Sequence, residues 1–308
     1  MKILVTGGAG FIGTHVNKLL LDQGHEVSVI DDLSKGHKDA INPRVNFIEG
    51  TLLDQKKLEN ILPGIDGVIH MASFIEVGES VKKPVEFVEN NILGTAKLLE
   101  AMRKTGVKKI IFSSSACVYG KPSKIPITEE DPLSQQENPY GLTKVSMEQL
   151  CILYHTLHNF DVTILRYFNP YGPGEMHNPE THAIPNFIKA ALSKKSIPLY
   201  WKGEQIRDFI YIDDLAEAHI LPLSQNGLHI YNVGTQTGSK IIDVVKKIFE
   251  ILGYEVPIED KGERKGDVSE LVASSQKIKS ELGWESKTNL DEGLSKTIDF
   301  FRSHPSST

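Results

Sequence analysis

Short runs of apolar, often β-branched residues alternate with longer amphipathic stretches over the first half of the chain. The short runs predict strands at 2–6, 26–30, 45–48, 67–71, 108–113 and 162–168. Between them, apolar residues recur at three- and four-residue spacing and predict helices near 12–23, 55–62, 82–105 and 139–159. Because strands and helices alternate, we expect an α/β fold with a doubly wound parallel sheet, which binds ligands at the carboxyl ends of its strands.

From about Asn169 the pattern changes. Pro170, Pro173, Gly174 and Pro179 indicate irregular chain, and shorter mixed elements follow, with helices predicted near 239–252 and 290–303. We therefore expect a smaller, discontinuous α/β lobe packed over the edge of the sheet. In this prediction the first domain is 1–168, with 208–234 returning to it, and the smaller lobe is 169–207 together with 235–308.

Composition removes several classes of function. The 308 residues, 40% of them hydrophobic, can bury a large core. A formal net charge of −6, with scattered lysines, argues against nucleic acid as a partner. Cys117 and Cys151 lack disulfide-framework or metal-ligand spacing, which predicts no metal site and suits a reducing compartment. Without a signal-peptide pattern or an 18-residue apolar span, we expect no membrane partner and a cytoplasmic location.

The segment "VTGGAGFIG" at 5–13 places glycines between a predicted strand and a predicted helix. Gly7, Gly10 and Gly13 permit a tight turn, close approach of the backbone to a pyrophosphate, and close helix packing. The second strand ends in Asp31 and Asp32, and Asp31 lies 18 residues after Gly13. An acidic side chain there accepts hydrogen bonds from a ribose diol and repels a 2′-phosphate. The sequence therefore predicts a Rossmann-like domain that binds NAD. A glycine-rich turn followed by surface acids would show the same sequence pattern.

The segment "NPYGLTKVSMEQ" at 138–149 sets a phenol one helical turn before an ammonium. Tyr140 and Lys144 lie four residues apart just after a proline, so a helix would carry both side chains on one face. On spacing alone, this pattern is also typical of a surface helix with an amphipathic tyrosine and a solvated lysine.

Several further segments resemble a known family when they are taken in order with these two motifs. They are "HMASFIEVGES" (70–80), "NNILGT" (90–95), "FSSSACVYG" (112–120), "LRYFNPYGPG" (165–174), "RDFIYIDDLAEAH" (207–219), "YNVGT" (231–235) and "RKGD" (264–267). Together with the GxxGxxG spacing they resemble the extended short-chain dehydrogenase/reductase family. Within it the chain is most similar to the NAD-dependent nucleotide-sugar epimerases and dehydratases, and among these to the UDP-hexose 4-epimerases. The resemblance runs almost end to end.

The resemblance implies a redox-neutral epimerisation. Tyr140 would take the proton of a sugar 4-hydroxyl while hydride leaves the same carbon, and the 4-keto sugar would rotate before hydride returns. A free tyrosine has a pKa of ~10, so we expect Lys144 and the positive nicotinamide to lower the pKa of Tyr140 toward the working range. Ser115 would hydrogen-bond the reacting hydroxyl. NAD should stay bound through the cycle, because no net redox change occurs.

The resemblance also assigns binding residues and an assembly. Those implied for the cofactor are Gly7, Gly10, Phe11, Ile12, Gly13, Asp31, Asp32, Leu52, Ala72, Asn90, Ser113, Tyr140, Lys144 and Tyr167. Those implied for the nucleotide sugar are Ser115, Asn169, Arg207, Arg264, Asp267 and Leu271, with the arginines as pyrophosphate clamps and Asp267 toward the ribose. The first domain would hold NAD and the smaller lobe the nucleotide sugar. Homodimers through the helices at 82–105 and 139–159 are also implied.

Differences from the family pattern bear on the reaction. Dehydratases and some decarboxylases carry an acid after the serine of the fifth strand, where this chain has Ala116 and Cys117, so simple epimerisation is favoured. Enzymes similar to GDP-fucose synthase, which are epimerase-reductases, use a cysteine near this position with a histidine. Cys117 keeps that alternative open, with His177 or His182 as its partner. A decarboxylase, a dehydratase and a non-catalytic NAD(H)-binding protein also remain alternatives.

Other differences bear on the ligands. Thr51 stands where the family usually has an aspartate that receives the adenine amino group, so adenine recognition would be weaker or rearranged. Ile75 replaces a lysine that many relatives carry near the cofactor. Leu271 is intermediate between the bulky tyrosine of enzymes restricted to plain hexoses and the small residue of those that accept N-acetylhexosamines. UDP-glucose, UDP-N-acetylglucosamine and UDP-glucuronic acid therefore all remain possible substrates.

Overall fold

The computed structural model describes residues 1–176, 182–263 and 268–304. Its strands are β1 (Lys2–Thr6), β2 (Glu26–Asp31), β3 (Asn46–Glu49), β4 (Gly67–His70), β5 (Lys109–Ser115), β6 (Asp161–Tyr167), β7 (Asn169–Tyr171), β8 (Ile197–Leu199), β9 (Ile206–Tyr211), β10 (Leu228–Val233), β11 (Gly238–Lys240), β12 (Ile258–Asp260) and β13 (Glu270–Leu271). Its α-helices are α1 (Phe11–Asp22), α2 (Gln55–Ile61), α3 (Val77–Lys82), α4 (Pro84–Phe87), α5 (Gly94–Thr105), α6 (Pro139–His158), α7 (Ala183–Leu192), α8 (Ile212–Ile220), α9 (Ile241–Leu252), α10 (Gln276–Leu282) and α11 (Leu290–Ser303).

A seven-stranded sheet in the order β10-β6-β5-β4-β1-β2-β3 forms the centre of the molecule. Every neighbouring pair is parallel, and helices connect the strands, so the predicted Rossmann-like doubly wound fold is confirmed. The six strands expected from the first half of the chain are all present. The edge strand β10 comes from the second half and pairs with β6, with Leu228 opposite Val162.

Alternate residues of the central strands serve two separate cores, one on each face of the sheet. Ile3 and Val5 of β1 pack into the core that includes Leu215 of α8, whereas Leu4 packs into the core that includes Leu98 of α5. Successive strand residues point to opposite faces, and both faces are covered by helices, so the strands are apolar on both sides.

The remaining strands form two small sheets outside the parallel sheet. Strand β9 pairs with β7, β11 and β13, and β8 pairs with β12. Helices α9 and α11 lie close to their predicted bounds. Both also pack against the core that includes α7, through residues such as Val244 and Ile298. The chain after Asn169 thus contains short strands interspersed with helices, as the change in pattern there predicts.

The long helix predicted at 82–105 is the main difference in secondary structure. Lys83, which precedes Pro84, has φ −130° and ψ 53° and so separates α3 from α4, because a proline disfavours the helical region for the residue before it. A π-helical turn, Val88–Leu93, then joins α4 to α5. Within this turn Asn91 is buried, and its Nδ2 donates to the Phe74 carbonyl at 3.0 Å. Such turns often occur at functional sites.

None of the helices in the described residues combines the length and apolar character that crossing a membrane requires.

Candidate functional site

A cleft of about 1200 Å³ lies at the carboxyl ends of the parallel strands and extends to β9. Most of the residues singled out in the sequence line it: Gly7, Gly10, Phe11, Ile12, Gly13, Asp31, Asp32, Leu52, Ala72, Asn90, Ser115, Tyr140, Lys144, Tyr167, Asn169 and Arg207. The chain thus brings together the glycine motif, the acidic pair and the Tyr-Lys motif, which are far apart in the sequence. This location is the one that a doubly wound sheet predicts for a ligand.

The glycine loop, residues 7–10, is packed closely against its surroundings, and neither Gly7 nor the nearby Gly13 has room for a side chain. Gly7 has φ +72°, and a Cβ there would lie 2.7 Å from the Ala72 backbone nitrogen. A Cβ on Gly13 would lie 2.6 Å from the Gly7 carbonyl oxygen. Gly10 directly precedes α1 and has no side chain to cap it, and the first residues of α1 line the cleft beside the loop. These features fit a diphosphate, which binds at a helix N-terminus.

Asp31 is held in place at the end of β2. Its carboxylate accepts hydrogen bonds from the Ala9 amide at 3.0 Å and the Leu33 amide at 2.9 Å. Burial raises the pKa of Asp31, and these two hydrogen bonds oppose that shift. A carboxylate can accept about four hydrogen bonds, so sites remain for a ribose diol. Thr51 also lines the cleft, where its hydroxyl accepts the Leu53 amide at 3.2 Å within a turn. The residues present fit a dinucleotide without a 2′-phosphate.

Helix α6 carries Tyr140 and Lys144 to the cleft. Its first turn is fixed by Pro139 and by Asn138, whose side chain accepts the Gly141 amide at 2.9 Å. The Lys144 ammonium donates to the Ser113 carbonyl at 2.9 Å and lies 6.0 Å from the centre of the Tyr140 ring. Both residues are buried, so the surface-helix reading of this motif is wrong.

The protein's own groups shift the two pKa values in opposite directions. Burial lowers the pKa of Lys144 to about 8, although the charges of Cys117 and Glu148 oppose the shift. Burial raises the pKa of Tyr140 well above 10, helped by the charges of Cys117 and Tyr167, while the Ser115 hydroxyl lowers it. We expected Lys144 to help lower the pKa of Tyr140. That shift is not produced by the protein side chains alone, because burial dominates.

Ser113 lies beneath the cleft rather than in its wall. Its carbonyl accepts Lys144, and its hydroxyl is 2.8 Å from Nε2 of His219. Nδ1 of His219 is 2.9 Å from the Leu215 carbonyl, so Nδ1 must carry the proton and Nε2 accepts from Ser113. His219 ends the "RDFIYIDDLAEAH" segment at 207–219, but the sequence assigned it no role, because its contact with Ser113 depends on the fold.

A second group that the sequence did not reveal is a buried ion pair. Arg166 of β6 donates from Nη2 to Glu148 Oε2 at 2.7 Å and from Nε to Glu148 Oε1 at 3.0 Å. Ser114 donates to Glu148 at 2.5 Å, and Arg166 also donates to the Tyr119 hydroxyl at 3.0 Å. The side chains of Arg166 and Glu148 are 4% and 0% exposed. The pair joins α6, one turn after Lys144, to the strands that carry the cleft.

Residues implied for the nucleotide sugar are only partly brought together. Asn169 and Arg207 line the cleft, and Asn169 Nδ2 donates to the Asp208 carbonyl at 3.1 Å. Leu271 lies in β13 opposite Arg207, but it packs against the cluster around Phe168 and is not among the described residues that line the cleft. Arg264 and Asp267 lie outside the described residues.

The alternative of an epimerase-reductase depends on Cys117, whose thiol lies close to the Tyr-Lys motif. Cys117 lies beside Ser115 and Tyr140, and burial raises the pKa of its thiol to about 11. A raised thiol pKa disfavours the thiolate. Nδ1 of His182 lies 2.6 Å from Glu175 Oε1. His177 lies outside the described residues.

Buried neutral histidines predict sensitivity to acid. His70 lies between the hydroxyls of Thr6 and Thr95 at 2.8 and 2.9 Å, and burial lowers its pKa to about 3. Burial also lowers the pKa of His219 to about 4. Between pH 6.5 and about 4 the unfolded chain binds protons that the folded chain does not. The free energy of unfolding therefore decreases as the pH is lowered. We expect the two histidines together to lower the free energy of unfolding by about 4 kcal/mol at pH 5 relative to pH 7.

Urea unfolding at both pH values measures this loss. His219→Asn should lower stability at pH 7 but flatten its pH dependence by about half. The exposed His304 provides the control, since His304→Asn should leave the slope unchanged. An equal pH slope in wild type and His219→Asn would contradict the prediction.

The parallel sheet, the glycine loop after β1, the acidic residue ending β2 and the Tyr-Lys motif on the helix after β5 define a short-chain dehydrogenase/reductase. Residues 3–234 match the NAD dependent epimerase/dehydratase family, and the chain belongs to it. NAD is therefore its cofactor.

Relatives match over nearly the whole chain. The chain is 38% identical to a UDP-glucose 4-epimerase of Lactobacillus helveticus, with 99% of this chain and 98% of the relative covered. The structure is similar to UDP-glucose 4-epimerase of Thermotoga maritima with UDP-glucose, at a TM-score of 0.95, 36% identity and 99% coverage of both chains. It is also similar to UDP-glucose 4-epimerase of Bifidobacterium longum in complex with NAD+ and UDP, at a TM-score of 0.94, 34% identity and complete coverage.

Proposed function

We propose that this protein is an NAD-dependent nucleotide-sugar 4-epimerase that interconverts UDP-glucose and UDP-galactose. The observation that carries the proposal is near-complete similarity to UDP-glucose 4-epimerases in a chain whose Ser115, Tyr140 and Lys144 line one cleft. Ala116 and Cys117 support it further, because neither supplies the carboxylate that dehydration would use.

In this proposal the first domain holds NAD. The glycine loop and the N-terminus of α1 take the diphosphate, and Asp31 takes the adenosine ribose through its carboxylate. Lys144 is placed to bind the nicotinamide ribose hydroxyls from the opposite end of the cleft. Bound there, NAD supplies the hydride acceptor for one half-reaction and the hydride donor for the other.

The proton chemistry belongs to Tyr140, Ser115 and Lys144. The phenolic oxygen of Tyr140 accepts the proton of the sugar 4-hydroxyl and returns a proton after the 4-keto sugar has presented its other face. Ser115 hydrogen-bonds the same hydroxyl. A buried phenolate needs nearby positive charge, and the ammonium of Lys144, protonated below its pKa of about 8, is one source. The positive nicotinamide ring is the second source in this proposal.

The smaller lobe, 169–207 and 235–308, holds the nucleotide half of the substrate in this proposal. Asn169 and Arg207 support that assignment because they line the cleft beyond the Tyr-Lys motif. Arg264 and Asp267 are proposed to complete the grip on the diphosphate and the ribose. Leu271, which pairs with Arg207 across β13 and β9, would act on sugar size through the position of β13. A firm grip on the nucleotide would leave the hexose free to turn.

Proton NMR tests the reaction directly. The purified protein is incubated with NAD+ and UDP-glucose, UDP-N-acetylglucosamine or UDP-glucuronic acid in separate tubes, without reductant. We expect UDP-galactose to form from UDP-glucose, with no free keto product. If UDP-glucose gave no product and one of the other two substrates gave its 4-epimer, that sugar nucleotide would be the substrate instead. Loss of carbon dioxide or water from any substrate would contradict epimerisation.

We also infer a homodimer built on the two long helical segments. The exposed apolar side chains in these segments and just before them are Val77, Val81, Val85, Val88, Leu93, Leu142, Leu153 and Leu157. They make up most of the exposed large apolar residues in the described part of the chain, which is unusual for a monomer surface.

Light scattering after size exclusion measures the oligomeric state. Val85→Glu and Leu157→Glu, at the most exposed of these positions in each of the two segments, should each yield a monomer. Ile258→Glu is the matched control, because Ile258 is exposed and apolar but lies in β12. A monomeric wild type, or variants that remain dimeric, would contradict the proposed interface.

A cytoplasmic location is part of the same proposal. Cys117 and Cys151 are both free thiols, which suits a reducing compartment.

A further inference from the structure

Two loops lie against the glycine loop. One, the β2 loop, is residues 32–37. In it a Cβ on Gly36 would lie 2.7 Å from the Ala9 side chain, and the His37 amide donates to the Ala9 carbonyl at 3.0 Å. The other, the β4 loop, is residues 71–76, and its Ala72 backbone lies against Gly7. Both loops line the cleft, so a dinucleotide on the glycine loop would lie between them.

An ion pair joins the two loops across the cleft. The Lys35 ammonium lies 2.5 Å from Glu76 Oε1, and both residues line the cleft. The Glu76 side chain is 5% exposed and the Lys35 side chain 41%. The second Glu76 oxygen accepts the Ile75 amide at 3.2 Å, which fixes the carboxylate within its own loop. Burial alone would raise the pKa of Glu76, but the hydrogen bond from Lys35 brings it below its ordinary value. The Glu76 carboxylate is therefore ionised near neutral pH.

We propose that Lys35 and Glu76 form a latch across the cofactor cleft that slows the release of NAD. The glycine loop and α1 form the floor of the cleft, and the ion pair connects its two sides. NAD can leave between the loops only when this contact opens. The proposal rests on NAD as the bound cofactor, which a redox-neutral reaction must retain, and it is independent of which sugar is the substrate.

The release rate of the cofactor tests the latch. Protein loaded with NADH is mixed with excess NAD+, and loss of bound NADH fluorescence gives the rate. We expect Lys35→Met and Glu76→Gln each to speed release about tenfold, since removing one partner of a hydrogen-bonded charge pair with a buried carboxylate acts mainly on dissociation. The reversed pair, Lys35→Glu with Glu76→Lys, should return the rate to within about threefold of wild type. Added salt should speed release from wild type more than from Glu76→Gln.

The matched control is Lys83→Met. Lys83 pairs with Glu86 at 3.2 Å outside the cleft, so its loss should leave release unchanged. The double variant Lys35→Met/Glu76→Gln should release NADH no faster than either single variant, because both remove one interaction. Additive effects in the double variant, or a wild-type rate in Lys35→Met, would overturn the latch. The readout needs no sugar, so failure of the UDP-glucose assignment would leave this test unaffected.

Discussion

Replacing Tyr140 with phenylalanine should reduce 4-epimerisation by about 10²–10⁴-fold, the usual contribution of a general acid–base group. The change removes one hydroxyl and keeps the ring that packs in the cleft, so folding and NAD binding should stay close to wild type. The phenol is the proposed proton acceptor, and without it the sugar 4-hydroxyl has no base in contact. Initial rates with UDP-galactose, together with NAD titration of the variant, measure the two effects separately.

Tyr154 offers the matched control on the same helix. Its hydroxyl donates to Glu100 at 3.3 Å, away from the cleft, so Tyr154→Phe should retain nearly full activity. Ser115→Ala should lose less activity than Tyr140→Phe, because a water molecule can replace its hydroxyl. Turnover in Tyr140→Phe near the wild-type rate would refute the assigned role. Loss of NAD binding in that variant would assign Tyr140 to the cofactor site instead.

Replacing Glu148 with glutamine should lower the free energy of unfolding by about 3–5 kcal/mol, as expected when one partner of a buried ion pair is removed. The Arg166 guanidinium would remain buried with a neutral amide as its partner. The effect should be large because the two side chains are almost fully buried and share two hydrogen bonds. Urea unfolding of wild type and Glu148→Gln at pH 7 gives the difference.

Two comparisons separate this effect from ordinary packing. Glu148→Leu combined with Arg166→Met should be more stable than Glu148→Gln, since the double change leaves no charge buried. Glu100→Gln breaks a pair with Arg103 in which the side chains are 34% and 42% exposed, and it should cost less than about 1 kcal/mol. Similar losses in Glu148→Gln and Glu100→Gln would contradict the special cost of the buried pair.

The sequence predicted the elements whose signals are local. Strand β1, the glycine loop and α1 follow one another within 22 residues, and each has a signature that needs no distant partner. The spacing of Tyr140 and Lys144 placed both side chains on one face of a helix, and the family resemblance assigned their roles. The acidic residue that ends β2 was found because its distance from the glycines is set by a single βαβ unit.

Features that depend on contacts distant in sequence were not predicted. His219 meets Ser113 across 106 positions, and neither residue carries a motif for that contact. The Glu148–Arg166 pair has two charges that a sequence pattern would place on a surface. The π-helical turn was missed for the same reason, since its Asn91 bonds to Phe74 and Thr143, 17 and 52 positions away. The burial that raises the pKa of Tyr140 was not predicted either, because burial cannot be read from spacing.

The position of β10 at the edge of the sheet affects how the protein is made. Strand β6 ends at Tyr167 and its partner β10 begins at Leu228, so the seventh strand is synthesised only after the intervening chain. Until then β6 presents a free edge of backbone donors and acceptors, which invites pairing with another chain. A nascent chain that stalls between these strands would therefore be prone to aggregate. Expression of 1–168 alone should yield an insoluble fragment for the same reason.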